Sequence, residues 1–474
     1  MVVTSWPHRL QVRAELAFGA DPAGDPAGWT WTDLSDRLDF QSIAITRGRQ
    51  NESGSTTAGS LTLTFNNPDG DLTPDRAQSP YYPHIHEGVP LRFSVLWDGE
   101  WRIRFVGEAG SWEPSWPYGD LSNEDRGYVG EAQVTVTAAG ILRRLGQGTP
   151  PLYDAMRRHI ENHGPLAYWP LTDGETAIHG SEVIQGAMPM RALGEAGSFY
   201  QGQPDWGRGS LAPWLDPVVE LPDESIGRIT ANVPAAAVTR WAVDHALAGG
   251  GPGSANTLQV FDRGPRTNTA PQHEFALTTF NDDEDATLFV VSRGEDTSSS
   301  TLLATPSLPG ISDGGVHYIR LITSDGTSFT NWALVYDGTT VASGTHAITH
   351  YPVSRIVYRW GTVEGGGVET TPVALGHVTY WETPPPDAET RRALLGHAYE
   401  PAGRRIERLC AEQGVGLQVT GSLDDTPLMG PQRSGAFLDV LGAAEAVDGG
   451  VLGEARDAPA LAYRTRSSRY NQGV

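Results

Sequence analysis

The chain contains no lysine: all 34 of its basic side chains are arginine. Chemistry that needs an amine is therefore excluded, including a phosphate-binding P-loop lysine, a Schiff base and a pyridoxal site. A single cysteine, Cys410, rules out an intrachain disulfide and a paired-cysteine metal knuckle. It falls in an apparent helix on the face of Ile406 and Leu409, and is read as a small buried apolar residue. No apolar run reaches the ~18 residues that a membrane helix needs, so no membrane span is expected. Met1–Leu10 lacks the charged-then-apolar pattern of a secretory signal. Positive charge is scarce: 34 basic side chains face 57 acidic ones, for a net charge of −23. A field of that sign repels a phosphate backbone. No local basic patch stands out along the chain, so nucleic-acid binding is not expected.

Glycine (56) and proline (34) are abundant among the 474 residues. Both interrupt helices and supply turns, which points to a mainly β chain of roughly two to four domains. In residues 1–148, Leu61, Leu63 and Phe65 alternate with Thr62 and Thr64, as in a half-buried strand. Two further alternating runs, Leu91–Val95 and Trp101–Phe105, flank Asp98-Gly99, the strongest hairpin signal of the chain. A helix is predicted over Leu152–His163, with Leu152, Met156 and Ile160 on one face, and is read as a connector (149–165). From Leu166 to Trp381 short strands and Gly/Pro/Asp turns alternate, including Val316–Ile322, a turn at Ser324–Gly326 and Trp332–Tyr336 closed by Asp337-Gly338, as in a β-sandwich. Helices are predicted from Asp387 as cap to Ala398, over Arg404–Gln413 and over Gly435–Ala446, before a strand at Leu461–Arg466.

Candidate chemistry is sparse. Gly310-Ile311-Ser312-Asp313-Gly314 matches a nucleophile elbow, but a strand follows it where that motif needs a helix, so a turn is expected. His84 and His86 could share a strand face, yet no third metal ligand is identifiable. His159 and His163 are spaced as in a zinc protease, but Glu161 is in the wrong place between them. Asn67, Asp69 and Asp71, and Asp173 with Glu175, fall short of a calcium loop, although a Ca2+ site near Asp173 stays open. Asn281–Asp285 is read as a solvated turn. No strand presents the alternating acids of a sandwich glycosidase, and no catalytic residue is assigned. Among 14 tryptophans, Trp332 and Trp381 lie in predicted strands and are read as core. Trp112 and Trp116, which flank Pro114, and Trp206 and Trp214, placed in loops, are the candidates for ligand or partner contact.

Two resemblances follow from particular stretches. Leu166–Asp173, His317 with the later Val335–Gly338, and Gly376–Trp381 leading to Pro386 resemble the concanavalin A-like, laminin G-type jelly roll. The flanks resemble minor tail proteins of siphophages that infect actinobacteria. The residues are Ser60–Gly70, Tyr81-Tyr82-Pro83 and Gly88–Arg92 on one side, and the Phe437–Ala446 helix, Gly449–Leu452 and Tyr463–Arg466 on the other. Together they imply a tail-hub-like β-domain (1–148) interrupted by a jelly-roll sandwich (166–398), with an α+β segment (399–474) returning to the hub. The likeness further implies a virion protein of the tail tip. It would form a homotrimeric ring against distal tail and tape-measure proteins, with the jelly roll touching a host-surface glycan. Family members usually continue past the tyrosine-arginine strand, so the hub is expected either to be incomplete here or to be completed by another chain. The alternatives are an extracellular glycan-binding protein and, behind it, a sandwich-fold glycoside hydrolase.

Overall fold

The computed structural model describes residues 10–49, 56–116, 132–148, 150–184, 186–194, 202–222, 225–234, 236, 238–250, 255–280, 284–326, 329–361, 363–364, 367–368 and 372–470. Trp6 and Asn281–Asp283 lie outside them. The chain is mainly β and divides into two compact units. One comprises residues 1–150, 400–429 and 436–474, and the other residues 151–399 and 430–435.

The first unit is built on a seven-stranded antiparallel sheet. Its strand order is Thr32–Asp33, Val12–Leu16, Pro90–Trp97, Glu100–Ser115, Gln133–Ala139, Thr57–Asn66, Ala44–Gly48. Alternation decides which faces are buried. Leu61, Leu63, Phe65, Leu91, Phe93, Val134 and Val136 form one core, while the intervening Thr62 and Thr135 are only partly covered. The predicted hairpin forms with Trp97 paired to Glu100. Asp98 (φ 53°) and Gly99 (φ 77°) both adopt the left-handed region, as a two-residue turn matched to strand twist requires.

The later segments add the helices Ala402–Glu412 and Phe437–Asp448 and a three-stranded sheet. In that sheet Leu417–Thr420 runs parallel to Leu461–Arg464, which pairs antiparallel with Val451–Glu454. Buried Cys410 packs beside Ile406 and Leu409 in the first of these helices. Glu454 ties early and late segments together: its carboxylate accepts the Gly59 and Leu142 N–H groups, each at 2.8 Å. Thr56 Oγ1 donates to the Leu452 carbonyl at 2.7 Å.

The second unit is a β-sandwich of two eight-stranded sheets. One runs Ser298–Ala304, Asp285–Arg293, Gln272–Phe280, Ala255–Asp262, Val353–Trp360, Gly227–Asn232, Met190–Gly194, His179–Gly180. The other runs Asp205–Gly209, Val218–Leu221, Val373–Trp381, Arg240–Gly249, Val316–Gly326, Phe329–Tyr336, Thr339–His346, with Ala167–Trp169 also paired to Val373–Trp381. Trp169, Trp241, Val260, Leu277, Leu321 and Leu375 share the core between them. Every residue of Val373–Trp381 is buried, because the outer face of its sheet is covered too. Met156 and Ile160 of helix Ala155–Asn162 and Ala393 and Leu394 of helix Asp387–Leu394 lie on that face.

Three local expectations are corrected. The predicted connector helix is integral to the sandwich unit, because its apolar stripe packs on the sheet. Asp387 is not a cap; Pro386 occupies that position, and the Asp387 carboxylate reaches Arg320 at 2.5 Å instead. Ser324–Gly326 continues a strand rather than turning, held by backbone pairing to Phe329–Asn331.

Candidate functional site

A cleft of about 390 Å³ opens in the sandwich unit, lined by Tyr153, Arg157, Thr172, Asp173, Gly174, Glu175, Gly207, Asp216 and Pro217. The Ala155–Asn162 helix positions its first wall. Asp154 caps the helix by accepting the Arg157 N–H at 2.8 Å. Asp154 and Asp216 then brace each other: each backbone N–H donates to the other's carboxylate, at 3.2 and 3.3 Å. Tyr153 is 47% exposed, and the Arg157 guanidinium lies 3.4 Å from its ring centroid. Burial alone would lower the Arg157 pKa. The Glu161 carboxylate, bonded at 2.8 Å, more than offsets that and raises it, so the cation is fixed in place and in charge.

The opposite wall is the Thr172–Glu175 loop. It follows Leu171, a buried residue at φ 60°, which turns the chain sharply out of the core. Both Asp173 oxygens accept the Ser181 N–H, at 3.1 and 3.0 Å, and fix the loop. Gly207 (φ 68°) lets this loop lie close: a Cβ there would stand 3.2 Å from the Asp173 carbonyl oxygen. The cleft thus combines an exposed aromatic ring, a fixed cation and carboxylates. Rings of that kind stack on sugars, and charged acceptors and donors of that kind bind hydroxyl groups.

Of the sequence candidates, the structure brings Asp173 and Glu175 into this cleft. Trp112 and Trp206 are corrected: both are buried, at 9% and 6% exposed, and both lie in strands rather than at a surface. Trp112 donates to the His86 carbonyl at 2.9 Å, and Trp206 belongs to the sandwich core. Trp214 is half-buried, and its indole donates to the Leu394 carbonyl at 2.9 Å, closing the end of a helix. Trp116 is 55% exposed, in the first unit. Tyr153 and Arg157 escaped sequence reasoning, because Tyr153 lies before the Asp154 cap of the helix that carries Arg157 and helical spacing does not pair them.

No donor set for calcium accompanies Asp173: among the described residues no group of three or more His, Cys, Asp or Glu side chains is placed to hold a metal ion. Asn67 instead organises its own turn, with Nδ2 donating to Thr73 Oγ1 at 3.1 Å and Oδ1 accepting the Leu72 N–H at 3.0 Å. His163 Nδ1 bonds the His159 carbonyl at 2.7 Å, and His86 Nδ1 the Glu87 carbonyl at 2.6 Å. Ser312 of the elbow-like stretch lies in a turn and donates to Glu284 at 3.3 Å. Nearby His317 has both ring nitrogens engaged by carboxylates, Asp337 at 3.0 Å and Asp313 at 3.1 Å, and so offers no base to a serine. No helix of the described residues is long and apolar enough to cross a membrane.

No family model matches the chain, and no curated protein matches it. Among solved structures the chain is similar to a botulinum neurotoxin type C structure, described as entering cells through two ganglioside molecules. The TM-score is 0.32 and the identity 7%, over 51% of this chain and 53% of that one. It is also similar to the botulinum neurotoxin serotype D binding domain (TM-score 0.31, 7% identity, 50% of this chain and 54% of that one). A third is the kappa-carrageenase of Pseudoalteromonas carrageenovora, in complex with an oligotetrasaccharide (TM-score 0.24, 10% identity, 32% and 67%). The match spans about half the length of the neurotoxin chains. Likenesses this distant carry no argument about what this chain binds.

Proposed function

We propose that the sandwich unit is a glycan-binding module that holds its ligand without turning it over. The observation that carries this reading is the cleft in which exposed Tyr153 and fixed Arg157 face the Asp173 and Glu175 loop. The reading without catalysis is supported by the wiring of Ser312, the serine of the elbow-like stretch, and of His317 into structural bonds. The test is binding of the full chain to actinobacterial cell-wall polysaccharides by calorimetry or glycan array, with Tyr153→Ala alongside. Retention of wild-type affinity in Tyr153→Ala would reject the cleft. Release of reducing sugar, abolished by one carboxylate change, would favour the hydrolase alternative.

The finer reading is that this module is carried by a minor tail protein at the tip of a siphophage. What supports it is the make-up of the first unit, which joins residues 1–150 with 400–429 and 436–474 around the intervening sandwich. That is the interrupted organisation the sequence resemblance implies. Its test is electron microscopy of phage particles decorated with an antibody against residues 166–381; a tail tip left bare would reject it.

A further inference from the structure

The sequence suggests no basic patch, but folding assembles one. In the first unit a cavity of about 490 Å³ is lined by Arg47 and Arg49, and by Arg456, Arg464 and Arg469, some four hundred positions later. Among the described residues Glu454 is the one acidic side chain in its lining, and both its oxygens are occupied by backbone N–H groups. Arg49 pairs with Glu445 at 3.2 Å, and Arg464 and Arg469 donate to the Ser468 and Gly449 carbonyls. Arg47 and Arg456 form no ion pair with any described carboxylate. Burial lowers the Arg47 pKa, and Arg456 and Arg104 lower it further by like-charge repulsion, which the attraction of Glu454 only partly offsets. A chain of net charge −23 thus holds a pocket of mutually repelling cations.

The rest of the lining mixes the polar side chains of Thr56, Thr57, Thr420 and Tyr463 with an apolar wall. Phe105, Val106, Val451 and Ala455 contribute, with the Arg47 guanidinium 5.8 Å from the Phe105 ring centroid. The strand Ala44–Gly48, which supplies Arg47, is the last of its sheet, and the strand Val451–Glu454 is an edge of the three-stranded sheet. A phosphodiester chain would leave the apolar wall and the strand edges unused. An extended peptide with alternating acidic and apolar side chains uses all three features.

We propose that this cavity is a docking site for an acidic, extended polypeptide segment of a partner protein. The test uses the full chain and fluorescence anisotropy of a labelled peptide of alternating glutamate and leucine, with the same peptide carrying glutamine for glutamate as control. The acidic peptide binds, weakens steeply as salt rises to about 0.3 M, and the glutamine peptide does not bind. Arg456→Glu, at an exposed position, and Arg47→Glu each weaken binding ~10-fold or more. Unchanged affinity in Arg456→Glu overturns the proposal. So does displacement of the peptide by an oligothymidylate that binds more tightly, which would make the pocket a nucleic-acid site. Stronger competition by pyrophosphate than by unlabelled peptide would make it a small-anion site and overturn it equally.

Discussion

Arg320 and Asp244 sit directly opposite each other on neighbouring strands of the sandwich and form a bidentate pair, Nε–Oδ1 2.8 Å and Nη2–Oδ2 2.9 Å, with both side chains buried. Asp244 also accepts the Tyr318 hydroxyl at 2.6 Å and the Trp381 indole at 2.7 Å, while Arg320 reaches Asp387 and the Pro385 carbonyl. Burial alone would lower the Arg320 pKa, but Asp244 raises it overall, so the guanidinium stays charged. The pair fastens the segment leading into the Asp387–Leu394 helix to the sheet beneath. Arg320→Met should destabilise the sandwich by ~3–5 kcal/mol, because a buried carboxylate loses its counter-charge. The double change Arg320→Met with Asp244→Leu should recover part of that loss, the Tyr318 hydroxyl remaining without its acceptor. Urea unfolding of the two variants checks this; equal midpoints would refute the pairing argument.

Asp262 is a buried carboxylate whose pKa rises to about 7, because burial outweighs the His273 and Gly264 N–H donors. A raised folded pKa means its contribution is full below the unfolded value of ~3.9 and is lost as pH climbs through about 7. Both donors bond the same oxygen, Oδ1, which asparagine retains. Asp262→Asn should therefore raise the melting temperature at about pH 8 and leave it nearly unchanged at about pH 4. Calorimetric scans across that range decide it; a gain that does not depend on pH would contradict the assignment.

The parts of the fold that were readable in the sequence are those in which neighbouring residues carry the signal. Leu61, Leu63 and Phe65 announce a strand by period, and Asp98-Gly99 announces its turn by backbone chemistry. The cleft and the arginine cavity were not readable, because each gathers residues that tertiary pairing alone makes neighbours. Asp154 meets Asp216, and Arg47 meets Arg456, through contacts that no local pattern encodes. The tryptophans misled for the same reason. Pro114 beside Trp112 reads as a loop, yet a sixteen-residue strand runs through it, with a register shift at Ala109/Ser111.

His317 gives a second pH handle. Burial would lower its pKa, but hydrogen bonds to Asp337 and Asp313 raise it overall. Its stabilising contribution is full below the unfolded value of ~6.5 and is lost as pH rises through the folded value. His245 acts oppositely: burial lowers it to about 3, so it costs stability as pH falls from ~6.5 toward that value. The difference in melting temperature between wild type and His317→Gln should be larger at about pH 5.5 than at about pH 8.5. A constant difference would assign His317 a packing role only.

Gly207 tests whether cleft geometry, and not merely its composition, carries binding. At φ 68° a side chain there is strained, and its Cβ would press to 3.2 Å on the Asp173 carbonyl oxygen and the Glu175 N–H. Gly207→Ala should cost ~1–2 kcal/mol of stability and push the Thr172–Glu175 loop away from Tyr153 and Arg157. None of the proposed contact residues is altered by that change. Gly430, in the same unit but outside the cleft, has open space where a Cβ would stand and no positive φ, so Gly430→Ala is the control. Glycan affinity should fall several-fold, roughly 10-fold, in Gly207→Ala and stay within about twofold in Gly430→Ala. Equal affinities for both variants, measured by calorimetry on the same polysaccharide, would show that the loop's closeness to the helix does not matter and would move the site elsewhere on the sandwich.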